Sequence, residues 1–248
     1  MVGGSRLVYQ TLITAAGNSF PEFRAAGFLV PKNLLKPQGG LLINQAVASY
    51  KHKVGPLVVA LNKEENQDFS TSDRVSEAYP EAAFVETSSS VQGALATAVL
   101  ATEGINLDQP LVIAAGDSIV EGGVEEYVSA LQAKAVDAGT IVFESTNPRW
   151  SYVTVGESGN VLEVVEKQVS GPFATIGCFY FKSAKLFLQA AEWVFVNNAQ
   201  VNDRFYVSTS LNYLVSEGLS VGYEILDKSR YTSFSTPADF QNSKIIRR

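Results

Sequence analysis

Histidine and cysteine each occur once in this chain of 248 residues, as His52 and Cys178. One histidine and one thiol cannot supply a Cys/His zinc site, and they give no support to a histidine-dependent catalytic triad. No internal disulfide can form, so a reducing compartment is the simplest setting. Basic charge is also scarce: 19 Lys and Arg face 25 Asp and Glu, for a net charge of -6. That balance argues against a general nucleic-acid or anionic-membrane surface binder. No run approaches the roughly 20 apolar residues of a membrane span, and the opening "MVGGSR" lacks the apolar stretch of a signal peptide. The expected setting is cytoplasmic, with no membrane partner. Repeats, low-complexity tracts and Gly/Ser linkers are missing too, so residues 1–248 are expected to form a single domain.

What is present suits a packed α/β protein. Hydrophobic residues make up 46% of the chain and charged residues 18%, enough apolar surface for a sizeable core. Through the first half, apolar β-branched runs such as "GPLVVALN" and "PLVIAAGDS" alternate with helix-like stretches such as "LLINQAVASYK" and "VQGALATAVLATEG". Such alternation signals βαβ units and a mostly parallel sheet covered on both faces. Ser70, Thr71 or Ser72, and Ser88 to Ser90, are placed to cap two of the helices. The second half reads "GTIVFEST", "SYVTVGESGNVLEVVEK" and "FATIGCFYFK" as strands, with "ESGN" as a hairpin turn and a mixed sheet as the result. Cys178 falls in an apolar run and is expected as buried filler; His52, in "SYKHKV", is expected on a solvated helix end.

Three stretches carry candidate chemistry. Ala15-Ala16-Gly17 closes a strand with small residues that free the backbone to turn and its amides to face an anion. Lys32 follows Pro31, whose fixed φ can aim an ammonium at the same anion. Asp117 stands just past the apolar run "LVIAAG", at a strand's carboxyl end, where ligands bind in open α/β sheets and a carboxylate can hold a hard cation. A turn or helix cap explains the same aspartate. Glu166 and Lys167 leave "VLEVVEK" together, an acceptor for hydroxyls beside a cation for phosphate, and a solvated strand end is the alternative.

The order of these pieces resembles the sugar-1-phosphate nucleotidyltransferases, or nucleoside-diphosphate-sugar pyrophosphorylases. It runs strand-AAG, Pro31-Lys32, Gln92-Gly93-Ala94, Gly116-Asp117, Glu166-Lys167, "ATIGCFYF" and "STPADF", from about Leu7 to about Phe240. The likeness is to the short members associated with capsule and surface-polysaccharide synthesis. It implies an α/β Rossmann-like (GT-A-like) nucleotidyltransferase fold with a mixed, mostly parallel central sheet flanked by helices. It further implies that a nucleoside triphosphate and a sugar 1-phosphate react, with Mg2+, to give a nucleoside-diphosphate-sugar and pyrophosphate. By carry-over, Ala15, Ala16 and Gly17 hold the nucleotide, Lys32 neutralises its phosphates, and Gln92 and Gly93 face the base. Asp117 takes the metal, Glu166 the sugar hydroxyls, Lys167 the sugar's phosphate, and Gly177 lets the sugar approach the sheet. Related enzymes often associate, and nothing in the sequence forbids a homo-oligomer.

Two departures stand out. The family's first loop carries a second glycine and an arginine before its Pro-Lys, whereas here Gly17 leads into "NSFPEFRAAGF". Arg24 is the arginine that could reach back into the site. A second metal-binding aspartate is expected four residues before the Pro of "YTSFSTP", and that position is Ser233. The alternative reading is a degenerate paralogue that binds a nucleotide or sugar phosphate without turnover. A glycosyltransferase of the same fold is less supported, because "AGDSIVEGG" lacks an Asp-x-Asp pattern.

Overall fold

A computed structural model describes residues 8–243. The opening segment read as lacking a signal peptide and the basic "KIIRR" end lie outside the described residues. The chain starts with strand β1 (Gln10–Ala15), then helices α1 (Phe20–Ala25) and α2 (Leu42–Tyr50), β2 (Leu57–Asn62), α3 (Lys63–Phe69) and α4 (Thr71–Ser76). After these come β3 (Ala83–Thr87), α5 (Ala94–Leu100), β4 (Leu111–Ala115), β5 (Ser118–Val120), α6 (Glu125–Ala133) and β6 (Ala138–Glu144). The remainder comprises β7 (Ser151–Val155), β8 (Val161–Glu166), β9 (Phe173–Phe181), α7 (Ala184–Val196), α8 (Leu211–Ser216), β10 (Val221–Ile225), β11 (Tyr231–Ser233) and α9 (Pro237–Asn242).

Nine of the eleven described strands make one sheet in the order β10-β6-β9-β4-β1-β2-β3, with the β7–β8 hairpin attached to β9, and β5 and β11 pair antiparallel in a second. β1, β2, β3 and β4 run parallel, and β9 is antiparallel to both β4 and β6. This is the mixed, mostly parallel sheet expected from the sequence. Successive side chains of a strand point to opposite faces, and both faces here are covered. Along β2, Val58 and Ala60 pack with α5, α7 and α8 residues such as Leu95, Phe187 and Leu214. Leu57, Val59 and Leu61 pack on the other side with Val47 of α2 and Val128 of α6. A continuous apolar run is what a strand covered on both faces requires.

Three local expectations need correction. His52 is buried, edge-on to the Tyr9 ring at 4.8 Å, because the chain leaving α2 tucks under the sheet. The cap of α5 is Gly93, not Ser88 to Ser90, and Ser70 precedes α4 without a side-chain cap bond. Cys178 is buried as expected, and burial pushes its thiol pKa well up.

A third, smaller cluster joins the two ends of the chain. Phe23 of α1 is fully buried against Phe240 of α9, ring centroids 5.9 Å apart, and Phe234 meets Phe240 at 4.7 Å. The odd stretch after Gly17 is thus a short amphipathic helix seated on C-terminal aromatics. Across the cluster, α9 is closed by a capping box in which Thr236 and Asp239 satisfy each other's amides.

Candidate functional site

β1 and β4 are adjacent and parallel, so their carboxyl ends emerge side by side. That edge is where an open α/β sheet binds ligands. A cavity of about 380 Å3 lies there, lined by Ala15, Gly17, Lys32, Gln92, Gly93 and Asp117 among others. A second cavity of about 400 Å3 is lined by Asp117, Arg149, Glu166, Lys167, Gly177 and Ser208 among others. Thr14, Ala94, Ala115, Asp117 and Tyr206 belong to both, so the two are halves of one cleft that meet at Asp117.

Lys32 opens a single helical turn after Pro31, and the turn is tied to the end of β1 by Asn33, whose Nδ2 donates to the Ala15 carbonyl at 3.0 Å. This tie carries the Lys32 ammonium to 2.6 Å from Asp117 Oδ2. Asp117 is in turn fixed by its carbonyl, which accepts from the Phe234 amide at 2.8 Å. Tyr231 beside it has its hydroxyl pKa raised well up by burial and then by the Asp117 charge.

On the other side, Glu166 ends β8, nearly buried, directly opposite Ser151 across the hairpin. Lys167 follows in the left-handed region at φ 59, a conformation that costs a non-glycine residue and persists only when its surroundings impose it. Its amide donates to the Trp150 carbonyl at 3.1 Å and its ammonium to the Arg149 carbonyl at 2.8 Å. Arg149 stacks 4.1 Å over the Trp150 ring and pairs with Asp239 at 2.7 Å. Burial works against ionisation of Asp239, but Arg149 and the Thr236 donors outweigh it and hold its carboxyl below the usual range.

Two glycines are required by conformation. Gly93 has φ +95, and a Cβ there would sit 2.3 Å from the Phe205 carbonyl, so the loop over the first cavity closes only on a bare backbone. Gly177 has φ +75 at a bulge where the β6–β9 register jumps from Thr140–Phe179 to Val142–Thr175. Bulges re-aim strands next to sites, and this one turns β9 beside the second cavity. Gly17, by contrast, has open space around it and no left-handed φ, so the turn after β1 does not demand glycine.

The structure therefore gathers Ala15, Ala16, Gly17, Lys32, Gln92, Gly93, Asp117, Glu166, Lys167 and Gly177 around one cleft. Arg24 is not among them: it is exposed on α1 and lines neither cavity, because Phe23 anchors the helix on the opposite side. Sequence reasoning missed Asn33, Arg149, Ser151, Arg204 and Ser208, all of which line the cleft. Asn33 adjoins the Pro-Lys pair and Arg149 adjoins Trp150, but nothing in the sequence marked Arg204 or Ser208.

Among the described residues there is no cluster of three or more His, Cys, Asp or Glu side chains suited to a metal. Ser233, in place of an expected carboxylate, lies with its Oγ 3.2 Å from that of Ser235. The donor set fits a hard cation held by one carboxylate, Asp117, with most ligands from bound phosphates and water, a mode Mg2+ commonly adopts.

A mixed, mostly parallel sheet with a cleft at the carboxyl ends of its parallel strands defines a Rossmann-like α/β class, and a family profile gives the membership. Residues 29–222 match the nucleotidyl transferase family, and the chain belongs to it. Among solved structures, a nucleoside-diphosphate-sugar pyrophosphorylase from Vibrio cholerae RC9 superposes with a TM-score of 0.82 at 16% identity, covering 96% of this chain and 100% of that one. The inositol-1-phosphate CTP transferase from T. maritima gives 0.69 at 18% identity, covering 98% of this chain and 96% of that one. UDP-glucose pyrophosphorylase in complex with UDP-glucose gives 0.67 at 14% identity, covering 88% and 90%. At such identities the likeness speaks to the fold. Curated protein sequences contain no match.

Proposed function

We propose that this nucleotidyl transferase joins a nucleoside triphosphate to a sugar 1-phosphate or a similar polyol phosphate, releasing pyrophosphate. The observation that carries the reading is the meeting of two cavities at Asp117, one with Lys32 and the Gln92-Gly93 loop, the other with Glu166 and Lys167. The first takes the nucleotide and the second the phosphorylated polyol. An oxygen of the polyol phosphate attacks the α-phosphorus in line; its new P–O bond forms as the bond to the β-phosphate oxygen breaks and pyrophosphate leaves. Such a reaction needs positioning and charge neutralisation rather than a protein nucleophile, which suits a chain with one histidine and a buried cysteine.

Lys32 moves from Asp117 to the triphosphate when the nucleotide enters, and Lys167 holds the phosphate of the attacking substrate. Asp117, released by Lys32, would hold a divalent cation, Mg2+ by its hardness, and that ion would supply charge neutralisation on the transferred phosphate. Gln92 and Gly93 cover the base, and the two tight glycines let ligands lie against backbone. The work falls in the cytoplasm, in nucleotide-sugar supply for surface polysaccharides.

Pyrophosphate release across a panel of nucleoside triphosphates and sugar 1-phosphates with Mg2+ tests the proposal. One productive pair, abolished by Asp117→Ala in a folded variant, is the expected result. Tight binding without release in every pair would favour a binding protein instead, a reading that draws on α1 filling the place of a glycine-rich loop.

A further inference from the structure

The two oxygens of the Glu166 carboxylate have different surroundings. Ser151 Oγ and Ser208 Oγ both donate to Oε2, the latter at 2.7 Å. Among the described residues, Oε1 has only the Lys167 ammonium, 3.8 Å away. Ser151 comes from β7, directly across the ladder, and Ser208 from the turn before α8, itself 2% exposed. Both serines and Glu166 line the second cavity. A hydroxyl owns one hydrogen, and an ionised carboxylate owns none. Once both serines have committed their hydrogens to Oε2, what Ser151, Ser208 and Oε1 present to a ligand is lone pairs alone.

Resting on the reading above, we propose that Ser151 and Ser208 are positioning residues that lock Glu166 as an acceptor. The second cavity then selects a phosphorylated polyol that turns a hydroxyl donor toward Glu166. A ring position that lacks a donor leaves the cavity-facing oxygen of the buried Glu166 carboxylate without a ligand partner, the situation in which sites discriminate strongly.

The test is calorimetric binding of glucose 1-phosphate and its mono-deoxy series to the full chain, with nucleotide binding measured in parallel. One deoxy position should lose about 100-fold or more in affinity, on the order expected for a site built around a donor. Ser208→Ala and Ser151→Ala should each weaken glucose 1-phosphate about 10-fold, the scale of one lost charge-assisted hydrogen bond, with nucleotide affinity unchanged and Ser208→Thr restoring the loss. A flat deoxy scan or serine variants with unaltered sugar-phosphate affinity would overturn the inference alone. A wild-type chain that binds no member of the set would overturn the sugar-phosphate reading and this inference with it.

Discussion

Asn212 of α8 holds the strand that delivers Glu166 and Lys167, and its removal gives a calculable loss. β8 pairs with β7 on one side only. On its free edge, Asn212 Oδ1 accepts from the Val164 amide at 2.8 Å while Nδ2 donates to the Val164 carbonyl at 2.9 Å. The side-chain amide thus takes the place of a neighbouring strand at a residue only 2% exposed. Asn212→Ala strands a buried N–H and a buried C=O, each costing about 1–3 kcal/mol, so a total of roughly 2–4 kcal/mol is expected after partial relaxation. For a chain of this size that corresponds to a fall of roughly 5–15 °C in Tm. Asn212→Asp is the sharper control: it has the same shape and keeps the acceptor, but sets a carboxylate oxygen against the Val164 carbonyl. Thermal unfolding followed by circular dichroism should show both variants well below wild type. If both melt within about 1 °C of it, the amide does not hold the edge of β8 and the reasoning fails.

Glu65 is 8% exposed, and its carboxyl pKa is raised by burial, against the Phe20 amide and Lys32 charge that lower it. A folded pKa above the unfolded one destabilises the fold at neutral pH, and the penalty fades as pH falls through the folded value. Glu65→Gln should therefore melt higher than wild type at pH 7, with the gain vanishing near pH 4, around the ordinary glutamate pKa; a pH-independent difference would contradict it. Cys178, 1% exposed with its thiol pKa pushed up by burial, should resist thiol reagents in the native chain and react on unfolding; fast native labelling would show the strand opening. Chelation of divalent cations should weaken triphosphate binding about 10-fold or more, the scale of roughly 1.4 kcal/mol, as read by calorimetry; unchanged affinity would count against Asp117 as a metal ligand.

The strands were the legible part of the fold because burial on both faces writes a continuous apolar run into the sequence, as at Leu57 to Leu61. α1 was not legible. Its six residues, "FPEFRA", carry one fully buried side chain, and two aromatics of the cluster that buries it, Phe234 and Phe240, lie more than 200 residues away in sequence. Likewise, three serines in a row before α5 read as caps, yet contact with Phe205 decided for Gly93. In the site, Lys32, Asp117, Glu166 and Lys167 were visible because each stands at a strand end or beside a proline. Arg204 and Ser208 reach the cleft only through the loop that follows α7, whose path depends on Phe205 exchanging backbone bonds with Gln92 and Leu95. That exchange joins residues over 100 positions apart, beyond any local pattern.

The anchoring of α1 also bears on how the cleft handles charge. Phe23 and Phe28 share the aromatic cluster with Phe234 and Phe240, so the segment after Gly17 is held by the core and keeps Arg24 in solvent. Among the described residues, the first cavity then has two cations in its lining, Lys32 and Arg204, and two carboxylates, Asp117 and Asp203. A wall of balanced charge offers little Coulomb attraction to a triphosphate by itself, and the 2.6 Å pairing of Lys32 with Asp117 reduces it further. On the proposed reading, the attraction has to arrive with the substrate: the triphosphate draws the Lys32 ammonium from Asp117, and the carboxylate so released would hold a divalent cation that would supply the remaining positive charge. With Arg24 held away from the cleft, that reading leaves the neutralising of phosphate to the exchange of partners at Asp117.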